Sequence, residues 1–292
     1  MDRWLTDEIK ELIFTPCLSV SGLIGRKLDN RRQMGQEIDE RALTELLVDA
    51  LDTASSENAW GNVINLLRDQ QIYLSTHVAK STREHITGAD IGFTISRSIH
   101  TGGLASSTTY AVLVQCKRID SEGNVADFFH EVPTSGKKQS TLMLDITPNS
   151  FYFIFTPPCL VETYCTLEPI AFCQVHRGCS SAVWNIGSFG FSHQTVPFLS
   201  ARQKAESVGV LVVPALAVEA QQSKGRAASL RDILPNCIPL WYWFGELLIP
   251  AFIGDRRSEV IRIAHSADDR KRGNESEDFS VRYSVSISLG NG

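Results

Sequence analysis

Three polar residues on two neighbouring predicted strands have side chains suited to metal-assisted hydrolysis. Asp90 stands in the β-forming segment ADIGFTISR, and Gln115 and Lys117 lie near the end of the apolar segment YAVLVQCKRID. Because alternate residues of a strand point to the same face, Gln115 and Lys117 project together and Cys116 points to the opposite side. Pairing of the two strands as a hairpin would place Asp90 beside them. The sequence therefore predicts a cluster of an acid, an amide and a lysine.

This cluster meets the chemical needs of phosphodiester hydrolysis. A hard divalent cation takes oxygen ligands, which Asp90 offers as a carboxylate, Gln115 as a side-chain carbonyl and Cys116 as a main-chain carbonyl. A bound cation polarises the phosphate and helps to generate hydroxide from water. Lys117 would orient or deprotonate that water, or neutralise charge on the phosphate. We predict Mg²⁺ or Mn²⁺ as the cofactor of such a site.

The order of these residues resembles the PD-(D/E)XK nuclease superfamily, in which an acid on one strand precedes a D/E/Q-x-K on the next. The chain has Gly-Ala-Asp90 and then Gln115-Cys116-Lys117, the Q-x-K variant of Mrr-like members. The stretch from Glu40 to about Phe155 also resembles a little-characterised bacterial family related to Mrr-type nucleases. The resemblance implies a metal-dependent endonuclease acting on DNA in defence against phage or foreign DNA. A glutamine in place of the commonest acid leaves less negative charge for holding two cations.

The resemblance also implies a third acid, supplied by the helix before the sheet. Glu40, in the pattern ERALTE, is the best match, because it shares a helical stripe with Leu43 and Leu47 that would turn it inward. Glu45 and Glu37 are the alternatives, although Glu45 falls nearer the polar side. Glu40 is therefore expected both as a catalytic residue and as a metal ligand.

Substrate contacts are expected on the segments that follow the Q-x-K strand. Members of the superfamily often carry a polar residue on the next helix, and Gln139 in KKQSTLML fits that position. Arg118, Lys137 and Lys138 cluster after the motif and are suited to contacting phosphates without distinguishing bases. A solvated loop and helix start would explain the same three cations equally well.

Helical and strand patterns alternate along the chain. Helices are predicted over about the first 30 residues with a cap at Thr6, over EIDERALTELLVDALDTA, from Trp60 to Arg68 and over GKKQSTLMLDIT. Beside the two strands above, strands are predicted for QIYLSTHVA, FYFIFTPP and VGVLVVPALAV, with HTGGLASSTT as a hairpin loop and RYSVSISL as a last strand or an edge. These elements predict an α/β fold with a mixed central sheet flanked by helices. The resemblance implies that this fold is restriction-endonuclease-like and carries a C-terminal extension.

We expect two parts in the chain. Residues 1–160 would form the nuclease-like core, with a helical N-terminal segment over 1–35. Residues 161–292 would complete the core sheet and add accessory or partner-binding elements. The apolar run IPLWYWFGELLIPAFIG, from residue 238 to 254, contains a glutamate and two internal prolines, so we interpret it as a buried helix rather than a membrane span.

Composition sets wide bounds on partners and location. Of 292 residues, 43% are hydrophobic and 21% are charged, which is ordinary for a globular protein, and the net charge of −5 gives no global support for nucleic-acid binding. Binding to DNA would therefore depend on local basic residues. We expect no signal peptide, because the first residues run into an acidic amphipathic segment rather than an apolar one, and we expect the seven cysteines to be free thiols in a reducing cytoplasm. Expected partners are DNA, other proteins of a defence system and further copies of the chain, and no membrane.

Other hypotheses compete with the nuclease. A structural zinc site could use Cys165, Cys173, His176 and Cys179, but there is no C-x-x-C pair and buried free cysteine is the commoner fate. The aromatic run from Trp241 to Phe244 suits core packing better than base stacking. The fold could also be retained as a non-catalytic interaction or sensor module, or cut RNA instead of DNA.

Overall fold

The computed structural model describes residues 6–54, 57–81, 87–101, 104–125, 128, 131–132, 135–164, 208–222, 229–250, 253–269 and 281–291. The four residues proposed for zinc lie outside these ranges. So does most of the charged segment DDRKRGNESED.

The helices lie in three groups along the chain. Three helices precede the sheet: α1 Asp7–Gln33, α2 Glu40–Leu51 and α3 Glu57–Asp69. In the middle come α4 Gln139–Ile146, α5 Pro158–Tyr164, α6 Ala215–Gln222 and the short α7 Leu230–Ile233. The last group is α8 Leu240–Tyr242, which continues as a wider π-helix over Trp243–Leu248, then α9 Ser258–Ala264 and α10 Ser266–Asp269.

The strands form one large sheet and a small hairpin. The large-sheet strands are β1 Ile72–Lys80, β2 Ile91–Thr101, β3 Leu104–Arg118, β6 Ser150–Phe155, β7 Val210–Pro214, β8 Ile238–Pro239 and β9 Tyr283–Asn291. The hairpin pairs β4 Glu131–Val132 with β5 Lys137–Lys138.

The large sheet is mixed, with the order β1-β9-β2-β3-β6-β7-β8. β9 runs parallel to β2 and β6 runs parallel to β3, while the other neighbours are antiparallel. The protein is therefore a mixed α/β fold with helices against a seven-stranded sheet. The continuous apolar run of β3 fits its central position, because both faces of a central strand are covered.

Two apolar layers cover the faces of the sheet. On one face, α1, α2, α3 and the π-helix pack against alternate strand residues such as Phe93, Val114 and Cys116. On the other face, α4, α6, α7 and α9 pack against residues such as Leu113 and Ile154. Alternation along β3 therefore turns Cys116 toward the first layer, as the sequence predicts, and puts Gln115 and Lys117 on the second face.

Several sequence predictions are confirmed in detail. The Thr6 side chain caps α1 by accepting a hydrogen bond from the Ile9 N–H at 3.4 Å. The aromatic run beginning at Trp241 is buried and lies on helical backbone, as expected for core packing.

No helix in the described part of the chain is long and apolar enough to cross a membrane.

Three predicted elements are wrong in part. Most of HTGGLASSTT is strand, because β2 continues to Thr101 and β3 begins at Leu104. In VGVLVVPALAV the strand ends at Pro214 and the remainder starts α6, since proline provides no N–H for a further ladder bond. For RYSVSISL the last-strand alternative is confirmed and the edge alternative is wrong, because β9 lies between β1 and β2, where pairing on both sides satisfies its backbone.

Candidate functional site

The predicted site residues meet at one end of the sheet, where β2 and β9 begin and β3 ends. Asp90 directly precedes β2, whose Ile91 pairs with Val114 of β3. Gln115 and Lys117 follow Val114 on β3. Antiparallel pairing therefore brings the acid beside the Q-x-K segment, as the sequence predicts.

Asp90 is fixed by its backbone and by its side chain. Its N–H donates to the Val114 carbonyl at 2.9 Å, and its carbonyl accepts from the Tyr283 N–H at 2.9 Å. Its carboxylate oxygen Oδ2 accepts from the Cys116 N–H at 2.9 Å. The residue is buried. The acid is thus tied to β3 and β9 at once, and its position depends on both strands.

A glycine allows the turn that delivers Asp90. Gly88 has a φ of +74°, a conformation that side-chain-bearing residues rarely adopt. A Cβ there would also lie 2.8 Å from the Gln139 carbonyl oxygen. The start of α4 therefore packs directly on the turn before Asp90, and only glycine fits between them.

Gln115 is buried with its amide only partly satisfied. The residue is 2% exposed. Its Nε2 donates to the Cys116 carbonyl at 3.1 Å, whereas Oε1 is buried and accepts no hydrogen bond within the described structure. An unsatisfied buried acceptor is costly, so it points to a missing donor or cation. Burial raises the pKa of the Cys116 thiol well above its ordinary value, so the thiol is no ready nucleophile.

Lys117 meets the acid of the preceding helix. Its Nζ lies 3.7 Å from Glu40 Oε1, and the two side chains are 5% and 28% exposed. Glu40 Oε2 accepts from the Arg118 N–H at 3.1 Å. The start of α2 thus reaches the end of β3, and of the three glutamates considered for the third acid, Glu40 is the one in contact with Lys117.

The other two glutamates have different partners. Glu37 pairs with the Arg118 guanidinium at 2.6 Å in an exposed contact. Glu45 accepts from the Tyr283 hydroxyl at 3.2 Å and pairs with Arg41 at 3.4 Å. Both lie at the rim of the cluster rather than against the lysine.

Glu40 has an unusual affinity for protons. Burial raises its pKa to about 7, the Lys117 ammonium opposes this shift, and the Asp90 charge adds to it. The Arg118 N–H also stabilises the charged form. Two carboxyls that influence each other in this way would both gain from a shared cation.

The predicted substrate contacts differ in their surroundings. Gln139 begins α4 and is buried, and its Oε1 accepts no hydrogen bond within the described structure. Lys137 is exposed and pairs with Asp145 at 2.8 Å. Lys138 ends β5, opposite Glu131 of β4. Arg118 is held by Glu37, so three of the four residues lie on exposed or partly exposed elements.

One residue of the cluster, Arg282, escapes prediction from the sequence, whereas Tyr152 lies on the predicted strand FYFIFTPP that follows the motif. Arg282 Nη1 lies 3.9 Å from Asp90 Oδ1, an approach set by the parallel pairing of β9 with β2. Tyr152 pairs in register with Gln115, and burial raises its pKa while the neighbouring Ser140 opposes the shift. An aromatic residue on the strand after the motif could be noticed in the sequence, but nothing local marks Arg282.

The donor set suits one hard cation. Asp90, Gln115, the Cys116 carbonyl and Glu40 would provide only oxygen ligands, and the unsatisfied Gln115 Oε1 gives an independent reason to expect a cation there. Within the described ranges no three histidine, cysteine, aspartate or glutamate residues form a metal-binding group. Two acids with neutral oxygens and water fit Mg²⁺ or Mn²⁺, which keep several waters in protein sites.

Comparison of the chain with protein-family models, with curated proteins and with solved structures finds no match. The residues of this site are therefore the basis for inferring what the protein does.

Proposed function

We propose that the protein is a metal-dependent nuclease that hydrolyses phosphodiester bonds of DNA. The observation that carries the proposal is the meeting of Asp90, Gln115, Lys117 and Glu40 at one sheet end, with a buried Gln115 oxygen that lacks a donor. The residue types are those that metal-assisted phosphodiester cleavage uses, and their order along the chain is that of the family resemblance.

Each residue has a distinct role in this proposal. A cation held by Asp90, Gln115, the Cys116 carbonyl and Glu40 would polarise a phosphate oxygen and make a water more acidic. Asp90 and Glu40 provide the negative charge that attracts the cation. Lys117 orients the attacking water and neutralises charge that develops on phosphate oxygens as the P–O bond to the leaving oxygen breaks.

The finer fold and the biological role belong to the same proposal. A mixed sheet with the acid and the Q-x-K segment on adjacent strands supports a restriction-endonuclease-like core. Action on foreign DNA in a bacterial cytoplasm, with partner proteins or further copies of the chain, rests on the family resemblance alone.

Cleavage of supercoiled plasmid in Mn²⁺ tests the proposal. Wild type should nick or linearise the plasmid, and Lys117→Met should reduce the rate at least about 100-fold, the usual scale for a lost catalytic cation. Arg68→Gln, an exposed arginine beside the opposite end of β1, should cleave like wild type. Failure of wild type on duplex DNA, single-stranded DNA and RNA would refute the proposal, and cleavage of RNA alone would assign the substrate to RNA.

The second candidate is a non-catalytic interaction module that keeps the fold. The neutral Gln115 and the presence of only two acids among the predicted ligands favour it. Calorimetric titration with Mn²⁺ separates the candidates. A module would neither bind Mn²⁺ at the cluster nor cleave DNA, and it would associate with its partner proteins without metal.

A further inference from the structure

Asp90, a predicted metal ligand, contacts Arg282, a basic residue that is not part of the nuclease motif. Arg282 directly precedes β9, and its Nη1 lies 3.9 Å from Asp90 Oδ1. The Arg282 side chain keeps 25% of its surface exposed, whereas that of Asp90 is almost fully buried. One end of this pair therefore lies inside the site and the other reaches solvent.

The two oxygens of Asp90 have different neighbours. Oδ2 accepts the hydrogen bond from the Cys116 N–H at 2.9 Å. Oδ1 is the oxygen that faces the Arg282 guanidinium. If the hydrogen bond from the Cys116 N–H to Oδ2 is kept, Oδ1 is the Asp90 oxygen that a metal ion would bind. A divalent cation there would stand close to the guanidinium, and like charges at that distance repel strongly in a partly buried site.

The backbone of Arg282 is held while its side chain is long. The Arg282 carbonyl accepts from the Ser81 N–H at 2.7 Å, and the next residue, Tyr283, donates its N–H to the Asp90 carbonyl at 2.9 Å. These bonds fix the start of β9 against β1 and β2. The guanidinium can therefore change partners without movement of the strand.

Charge balance favours release of the Arg282 guanidinium from Asp90 when a divalent cation binds. In the described structure each predicted acidic ligand has a basic neighbour: Asp90 has Arg282, and Glu40 has Lys117. A divalent cation adds two positive charges to this balanced set. Release of a guanidinium toward solvent relieves the excess, and a planar guanidinium is well suited to bind phosphate oxygens through two parallel hydrogen bonds.

We propose that Arg282 exchanges partners when the site is loaded: it neutralises Asp90 in the metal-free protein, and it binds a phosphate of the nucleic-acid backbone once the cation takes Asp90. This inference rests on the proposed function and assigns a substrate-positioning residue to it. Arg282 thus competes with the cation and assists the nucleic acid. Its removal should change the two affinities in opposite directions, which a purely structural residue would not do.

The test measures both affinities in Arg282→Gln. Mn²⁺ affinity is measured by calorimetry, and binding of a short labelled DNA duplex is measured by fluorescence anisotropy in Ca²⁺ over a salt series. We expect Mn²⁺ to bind about three- to tenfold tighter and the duplex at least about fivefold weaker. The slope of log affinity against log salt should shrink by about one contact. Arg68→Gln, which makes the same chemical change at the far end of β1, should alter neither affinity.

Two further variants keep the inference falsifiable. Arg282→Lys retains the charge, so Mn²⁺ affinity should stay within about twofold of wild type, and this measurement decides the matter if Arg282→Gln does not fold. Tighter Mn²⁺ binding by the lysine variant, or unchanged or weaker binding by Arg282→Gln, would overturn the exchange. Asp90→Asn tests the proposed function separately: if it binds Mn²⁺ like wild type, the metal site itself is wrong.

Discussion

The Cys116 N–H donates a 2.9 Å hydrogen bond to the Asp90 carboxylate, so the predicted acid of the site also satisfies the backbone of the strand that bears the Q-x-K motif. Cys116 therefore contributes through its main chain, while its thiol lies in the apolar layer on the other face. One residue links the chemistry of the site to the pairing of β2 with β3.

This bond should separate the structural and chemical roles of Asp90. Asp90→Ala leaves a buried N–H without an acceptor, and we expect the free energy of unfolding to fall by about 1 to 3 kcal/mol. Asp90→Asn keeps an acceptor oxygen, so it should lose less stability while losing Mn²⁺ binding. Urea denaturation of both variants is the measurement. Equal losses would show that the bond contributes nothing.

The turn at Gly88 should tolerate no side chain. Gly88→Ala combines the cost of a positive φ with a Cβ 2.8 Å from the Gln139 carbonyl oxygen. Gly136→Ala is the matched control, because Gly136 has a φ of +63° and nothing within 4 Å of its Cβ position. We expect a loss of about 1 kcal/mol for the control and about 1 to 3 kcal/mol more at position 88, where packing is also disturbed. Equal melting temperatures of the two variants would contradict the close packing of α4 on this turn.

The raised pKa of Glu40 should appear as pH-dependent stability. Between its ordinary pKa of 4.5 and its folded pKa of about 7, the folded chain retains a proton that the unfolded chain releases. Stability contributed by this group is therefore fully present below pH 4.5 and is lost as pH rises through 7. Glu40→Gln cannot ionise. Its free energy of unfolding relative to that of wild type should therefore increase by about 1 to 2 kcal/mol as the pH rises from 4.5 to 8.

Urea denaturation of metal-free protein at several pH values measures this difference. A constant gap between wild type and Glu40→Gln would mean that Glu40 titrates as an ordinary carboxyl.

Introducing an acid at position 115 should increase the affinity for Mn²⁺ and lower the stability of the fold without metal. Gln115→Glu places a third carboxyl near Asp90 and Glu40 in a buried position, which should cost about 2 kcal/mol without metal. With Mn²⁺ the same group becomes a ligand, and binding should tighten at least about tenfold. Thermal unfolding with and without Mn²⁺ checks both effects. A variant that is destabilised equally in both conditions would place position 115 outside the metal shell.

The sequence was informative where local periodicity sets direction. Alternation along β3 predicts the shared face of Gln115 and Lys117, and helical spacing turns Glu40 inward. Arg282 could not be found in this way, because its contact depends on the insertion of β9 between β1 and β2. The paired residues Ile91 of β2 and Tyr283 of β9 are some 190 residues apart in the chain. Such pairing is set by tertiary packing, which a local pattern does not encode.

A contact between the Asn291 side-chain amide and the His100 backbone, at the far end of the sheet, illustrates the same limit. Asn291 exchanges hydrogen bonds with the backbone of His100, at 2.7 and 3.3 Å, and so extends the parallel pairing beyond the predicted end of RYSVSISL. A side chain that substitutes for backbone across this distance has no sequence signature.

Diffraction from crystals soaked in Mn²⁺, with data collected near the manganese absorption edge, tests the metal site most directly. We expect one anomalous peak within about 2.0 to 2.6 Å of oxygens from Asp90, Gln115 and the Cys116 carbonyl, with Glu40 coordinating directly or through water. The peak should vanish in Asp90→Asn. Crystals of wild type that show no peak at this sheet end, at Mn²⁺ concentrations that support cleavage, would contradict the assignment.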